Sequence, residues 1–234
     1  MLDVRSLRAS YGQTRVLDGV DLTVGDGEFV VVIGPNGHGK TTLLRTISGL
    51  LPASAGEVWF DGERIDGFRP ESIASSGLVH IPQGDLPFGD MTVEENLSLG
   101  AFPRSGWSRR SERLERVYGI FPALAERRTQ RARTLSGGER RMLALGRGLM
   151  RDAKLLMIDE PSLGLAPVIV NEVYRHIETI VASGVSLLLV EENFSHVQAF
   201  DARVLLLESG RIVRGGSVSE LLEDEIVMAT YLGT

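Results

Sequence analysis

The chain has 234 residues, 25 basic and 31 acidic side chains, a formal net charge of −6 and no cysteine. That length suits one domain, or one domain with a lobe inserted into it, and the acidic balance argues against a generally basic nucleic-acid binder. Disulfides, thiolate zinc sites and cysteine catalysis are excluded, and no apolar run approaches the roughly 20 residues of a membrane helix.

The start, Met1-Leu2-Asp3-Val4-Arg5, lacks the basic residues and apolar run of a signal peptide, so a cytoplasmic location is expected. Alternation predicts strands at Val4 to Leu7, Val16 to Val24 and Glu28 to Ile33, with turns at Tyr11-Gly12 and Gly25-Asp26-Gly27. A helix is predicted from Gly39 to Gly49, then a strand and turn at Gly56 to Gly62. Between about 84 and 134 the pattern turns helical. Thr92-Val93-Glu94-Glu95 is a capping box, and Leu114, Val117, Tyr118 and Phe121 recur at helical spacing among arginines. This stretch is expected to be a helical lobe inserted into an α/β body.

From Leu135 strands and helices alternate again. A helix to about Met150 precedes a strand at Leu155 to Ile158. A helix from Pro167 to Ala182 precedes the strand Val185 to Val190. A short helix precedes Val204 to Leu207, and the tail holds Gly210-Arg211-Ile212-Val213 and two short helices. Such alternation implies a mostly parallel sheet.

Three segments carry chemistry. Gly34-Pro35-Asn36-Gly37-His38-Gly39-Lys40-Thr41, continued by Thr42, fits the phosphate-loop pattern G-x-x-x-x-G-K-[ST] and lies between a buried strand and a helix. Its glycines let backbone N–H groups curl round a phosphate, and the helix N-terminus adds a positive dipole. Lys40, one of only two lysines, can reach the β and γ phosphates, and the Thr41 hydroxyl can hold Mg²⁺. The bland reading is a glycine-rich turn of no function. Next, the apolar run Leu155 to Ile158 ends in Asp159-Glu160. Buried strands often end in a solvated acid. Beside a phosphate loop, however, Asp159 can hold Mg²⁺ through water and Glu160 can orient or deprotonate an attacking water. Finally, Leu135-Ser136-Gly137-Gly138-Glu139 opens a helix. Ser136 and Glu139 make a capping box by themselves, but two glycines in a first turn make more sense where an anion approaches bare backbone.

These three elements, in this order, resemble the nucleotide-binding domain of ABC transporters over nearly the whole chain. The resemblance implies a P-loop NTPase core with an N-terminal antiparallel β subdomain and an inserted helical subdomain. It also implies ATP and Mg²⁺, and a head-to-tail pair with an identical or homologous second ATPase subunit. The phosphate loop of one subunit and Ser136-Gly137-Gly138 of the other would then enclose each ATP. Tyr11 falls where an aromatic stacks on adenine, Gln83 where a glutamine touches Mg²⁺ and the water, and Ser162-Leu163-Gly164-Leu165 in the loop that meets the opposite protomer. Two positions depart. Glu192 stands where the family usually has a histidine near the γ-phosphate, and Leu165 stands where many members have Asp. His38 replaces a usually small residue and is expected to point outward. His196 is a weak substitute for the switch histidine, and His80 and His176 read as surface or packing residues.

Met91-Thr92-Val93-Glu94-Glu95-Asn96-Leu97, Ser162 to Pro167, Val190-Glu191-Glu192-Asn193 and Tyr231-Leu232-Gly233 resemble the second ATPase subunit of branched-chain amino acid importers. Urea and other amide or amino acid importers share these features. The usual assembly adds transmembrane permease subunits, docked in a groove near Gln83, and a solute-binding protein. An ABC ATPase of a soluble process and a small-molecule phosphotransferase are the alternatives. The net charge is also uneven. Residues 101 to 134 hold nine arginines (Arg104, Arg109, Arg110, Arg113, Arg116, Arg127, Arg128, Arg131 and Arg133) against three acids. This reads either as a solvated face or as a basic lobe near an anionic membrane surface or acidic permease loops.

Overall fold

The computed structural model describes residues 1–84, 87–102 and 107–224. Arg104, the run Tyr231-Leu232-Gly233 and the second helix expected in the tail lie outside them.

Two sheets organise the chain. The first is antiparallel, in the order β2-β1-β4-β5, from β1 (Leu2–Tyr11), β2 (Thr14–Val24), β4 (Ala55–Phe60) and β5 (Glu63–Arg64). The second runs β10-β9-β3-β8-β7-β6, from β3 (Phe29–Ile33), β6 (Leu78–Ile81), β7 (Leu155–Asp159), β8 (Ser186–Glu191), β9 (Arg203–Glu208) and β10 (Arg211–Ser217). All its pairings are parallel except β9 with β10. Strands β3, β7 and β8 are buried along their whole length, as a sheet covered on both faces requires. Val31 and Ile33 enter one core, shared with the long helices, while Val30 and Val32 enter the other, shared with the antiparallel sheet.

The helices follow from their caps. Helix α1 (Lys40–Ile47) begins after Gly39, and α2 (Pro70–Ser75) carries Pro at its first position. Helix α3 (Val93–Gly100) opens on the Thr92–Glu95 capping box, and α6 (Gly137–Leu149) opens on the Ser136–Glu139 box. Between them lie α4 (Arg110–Ile120) and α5 (Pro122–Glu126). Helix α7 (Pro167–Ala182) buries Val170, Val173, Tyr174, Ile177 and Ile180 on one face, and α8 (Val218–Leu222) is the last described element.

The arginines of the helical segment have partners within the chain. Arg113 is buried, donates to Met150 O at 3.0 Å and pairs with Asp152, which Arg109 also meets. Arg116 donates to Leu149 O at 2.8 Å. The carbonyls at the C-terminus of α6 therefore take cationic caps from α4, where the helix dipole favours them. Arg110 pairs with Glu94, Arg127 with Glu139, and Arg133 with Asp90. Much of the excess positive charge thus serves to join elements distant in sequence.

Candidate active site

Parallel pairing brings several strand ends to one edge. Register places Ile33 beside Glu191, Asp159 beside Val190, and Ile81 beside Ile158. The segments leaving these ends are the phosphate-loop sequence, the Glu160 loop, the Glu192 loop and the turn bearing Gln83. In open α/β sheets this carboxyl edge is where ligands bind.

A cavity of about 230 Å³ lies there, lined by Val16, Asn36, Gly37, Gly39, Lys40, Thr41, Thr42, Gln83 and Glu160. Lys40 is 4% exposed. It donates to Gly34 O at 2.7 Å and Pro35 O at 3.3 Å, and pairs with Glu160 Oε1 at 3.0 Å. Gln83 Nε2 donates to the other Glu160 oxygen at 2.9 Å. Glu160 is buried and holds φ at 42°, a left-handed conformation that costs a non-glycine residue about 1–3 kcal/mol. Its N–H donates to Val190 O at 3.0 Å and its carbonyl accepts from Leu163 N at 3.2 Å, so strand β8 and the turn that follows Glu160 hold the strained backbone.

Asp159 is fully buried. Its Oδ1 accepts from the Thr41 hydroxyl at 3.2 Å, while Oδ2 is buried with no hydrogen-bond partner. Burial pushes its pKa up to about 6, and adjacent Glu160 adds to the rise against the lowering effect of the Thr41 hydroxyl. An orphaned carboxylate oxygen next to a threonine hydroxyl is the donor arrangement a hard cation accepts.

Other expected residues sit around this cavity rather than in its lining. Gly34 is required by packing, since a Cβ there would meet Leu207 O at 2.3 Å. His38 is half-buried and faces the β9–β10 turn, where its Nδ1 accepts from Ser209 N at 3.2 Å. It turns away from the cavity, but onto protein rather than outward into solvent. Tyr11 is 46% exposed at the end of β1. Ser136 and Gly137 are exposed at the N-terminus of α6, whereas Gly138 is buried and a Cβ on it would strike Ile169 Cγ2 at 2.5 Å. Gly138 therefore has a packing reason in addition to any anion it admits.

Glu192 is exposed but turned onto the phosphate loop, where Asn36 Nδ2 donates to its Oε2 at 2.8 Å. His196 does not reach the cavity lining. It packs on Tyr174, with Nδ1 3.8 Å from Glu191 Oε2. His176 packs on Phe121, and His80 meets Ser48 through Nδ1 at 3.1 Å.

Sequence reasoning passed over Glu191. It is 2% exposed, and its carboxylate accepts from Ser162 Oγ at 2.8 Å, from the Tyr174 hydroxyl and from Glu192 N at 3.1 Å. Burial would raise its pKa, but the neighbouring His196 ring and the Tyr174 and Ser162 hydroxyls hold it below the usual carboxylate range. The available signal was a second acid at the end of an otherwise apolar strand.

The family model described as "ABC transporter" matches residues 17–163, more than half of the chain. The high-affinity branched-chain amino acid transport ATP-binding protein BraG of Pseudomonas aeruginosa is 40% identical over 233 residues, covering 100% of both chains. The lipopolysaccharide export system ATP-binding protein LptB of Escherichia coli is 32% identical over 99% of this chain and 97% of its own. Among solved structures, an ATP-binding cassette of an ABC transporter in its ADP conformation superposes with a TM-score of 0.85 at 29% identity, covering 100% of this chain and 99% of that one. Full-length likeness to such ATP-binding proteins, on a fold that carries a phosphate loop at its carboxyl edge, places the chain in the ABC transporter ATP-binding family, whose members couple ATP hydrolysis to transport.

Proposed function

We propose that this chain is the ATP-hydrolysing subunit of an ABC importer for branched-chain amino acids, held at the cytoplasmic face of the membrane by transmembrane permease subunits. The solute class rests on the full-length 40% identity to the Pseudomonas aeruginosa protein, against 32% to the lipopolysaccharide export protein. The catalytic reading rests on one observation above the others: Lys40, Gln83 and Glu160 meet at a single point beside the buried, unpartnered Asp159 oxygen.

In this reading Gly34 to Thr42 bind the nucleotide phosphates, with Lys40 exchanging Glu160 for phosphate oxygens. Tyr11 packs on the adenine. Mg²⁺, when bound, neutralises phosphate charge. Thr41, Gln83 and Asp159 would hold it, and among the described residues no cluster of three or more His, Cys, Asp or Glu side chains competes for that role. A site short of carboxylates suits a cation that takes most of its remaining ligands from phosphate and water. Glu160, freed from Lys40, orients the attacking water and accepts its proton, with Gln83 holding the second carboxylate oxygen. Ser136, Gly137 and Gly138 bind the phosphates held by a second ATPase subunit, identical or homologous, in a head-to-tail dimer. Residues 84–134 form the lobe that carries the motion to the permease.

A cleft of about 680 Å³ supports that docking. Its floor includes Val79, His80 and Ile81, just before Gln83, and its wall carries Phe88, Leu99 and Phe102, all more than 40% exposed. Among the described residues no helix is long and apolar enough to cross a membrane. Membrane attachment would therefore run through such a surface.

Uptake of radiolabelled leucine in cells expressing Lys40→Ala tests the reading. ATP-dependent uptake should be abolished. Normal leucine uptake, with loss of transport of a different solute, would overturn the solute assignment.

A further inference from the structure

We infer that Glu191 is a positioning residue for hydrolysis, acting by holding the Glu160 loop in its strained, productive conformation. The inference rests on Glu160 as the group that handles water. Three loops converge on this one buried residue. Its carbonyl accepts from Gly34 N at 3.2 Å, which ties down the start of the phosphate loop. Its side chain accepts from Ser162 Oγ, two residues beyond Glu160, and from Glu192 N, which begins the third loop. The Tyr174 hydroxyl, from α7, makes the remaining bond.

The chemistry selects a carboxylate here. Ser162, Tyr174 and the Glu192 N–H all present donors to it, and a carboxylate only accepts. Among the described residues this carboxylate pairs with no lysine or arginine, only with the His196 ring at 3.8 Å, and a buried anion is costly, so its retention calls for a reason. Glu160 supplies that reason. A left-handed non-glycine residue persists only where its surroundings over-determine it. The N–H of Glu160 is held by Val190 O; its carbonyl is held by Leu163 N, the residue that follows Ser162, and Ser162 is pinned to Glu191. Replacing Glu191 by glutamine directs an N–H at one of the donors and frees one anchor. Glu160 would then relax away from the water while the phosphate loop stays formed.

The test is a double-mutant cycle of steady-state ATP hydrolysis in the assembled transporter, with Glu191→Gln, Glu160→Gln and both together. Glu191→Gln should lower kcat about tenfold or more, with KM for ATP within about twofold, since misplacing a reacting group by 1 Å costs up to about a hundredfold. In the Glu160→Gln background it should add no further loss, because both act on one event. Tyr174→Phe and Ser162→Ala, which leave the carboxylate in place, should each lower kcat about threefold with KM unchanged, and they decide the matter if Glu191→Gln fails to fold. The inference is overturned if kcat stays within twofold of wild type in these variants, or if KM and kcat deteriorate together. If Glu160→Gln is itself active, the catalytic reading fails instead, so the two failures are distinguishable.

Discussion

Lys40 and Glu160 neutralise each other inside the cavity, 3.0 Å apart and nearly inaccessible to water. Removing either partner of a buried pair strands the other. Lys40→Ala should therefore lose ATP binding and also unfold roughly 6–20 °C earlier, from a loss of about 3–5 kcal/mol, read by thermal melting without nucleotide. An unchanged melting temperature would mean that Glu160 finds another partner. Glu192 acts with the opposite sign. Its carboxylate lies on the phosphate loop through Asn36, so bound phosphates meet an extra negative charge. Glu192→Gln keeps an acceptor for Asn36 and removes the charge. KM for ATP should fall about fivefold, the equivalent of about 1 kcal/mol for a solvated charge pair. A rise in KM would show that the charge itself helps. His80 adds a pH dependence. Burial, with Arg45 nearby, depresses its pKa from 6.5 to about 4, and its Nε2 has no partner. Below pH 6.5 the unfolded chain takes up a proton that the folded chain refuses until about pH 4, so stability should decline as the pH falls through that window. His80→Gln should flatten the decline in melting temperature between pH 7 and 5, and an unchanged slope would refute the assignment.

At the scale of elements, the helix starts were the most legible features. Thr92–Glu95 and Ser136–Glu139 are reciprocal capping boxes in the structure as their spacing predicts, and Pro167 opens α7. The buried strands β3, β7 and β8 were legible because continuous apolar runs ending in acids or glycine leave few other options. What escaped depends on partners remote in the chain. Glu191 meets residues 29 and 17 positions away, so its neighbours in sequence gave no hint of the network. The arginine count suggested a patch, whereas Arg113 and Arg116 reach carbonyls 37 and 33 positions away. Short elements such as β5 and α2 have too few residues to carry a period. The arginine contacts make their own prediction. Arg113→Ala removes the cap on Met150 O and the buried stem of the side chain, costing about 1–2 kcal/mol, or roughly 2–8 °C. Because Arg113 is remote from the phosphate loop, ATP affinity should stay near wild type. A large loss of affinity without a drop in melting temperature would contradict its role as a staple.

At the scale of the whole molecule, one parallel sheet gathers the phosphate loop, Gln83, Asp159, Glu160 and the Glu192 loop at a single edge. The antiparallel sheet adds Val16 to the same cavity, and the helices after β6 border the apolar cleft beside Gln83. Ser136 and Gly137 lie outside that cavity lining, at the N-terminus of α6. The reading thus makes one chain hold two half-sites and a permease surface, linked through Gln83 and Glu160. The most direct test of its central claim is ATP turnover with nucleotide retention in the assembled transporter carrying Glu160→Gln. Turnover should fall at least about a hundredfold while ATP stays bound and the closed dimer accumulates. Near-normal turnover would contradict the assignment of Glu160 as the residue that activates water.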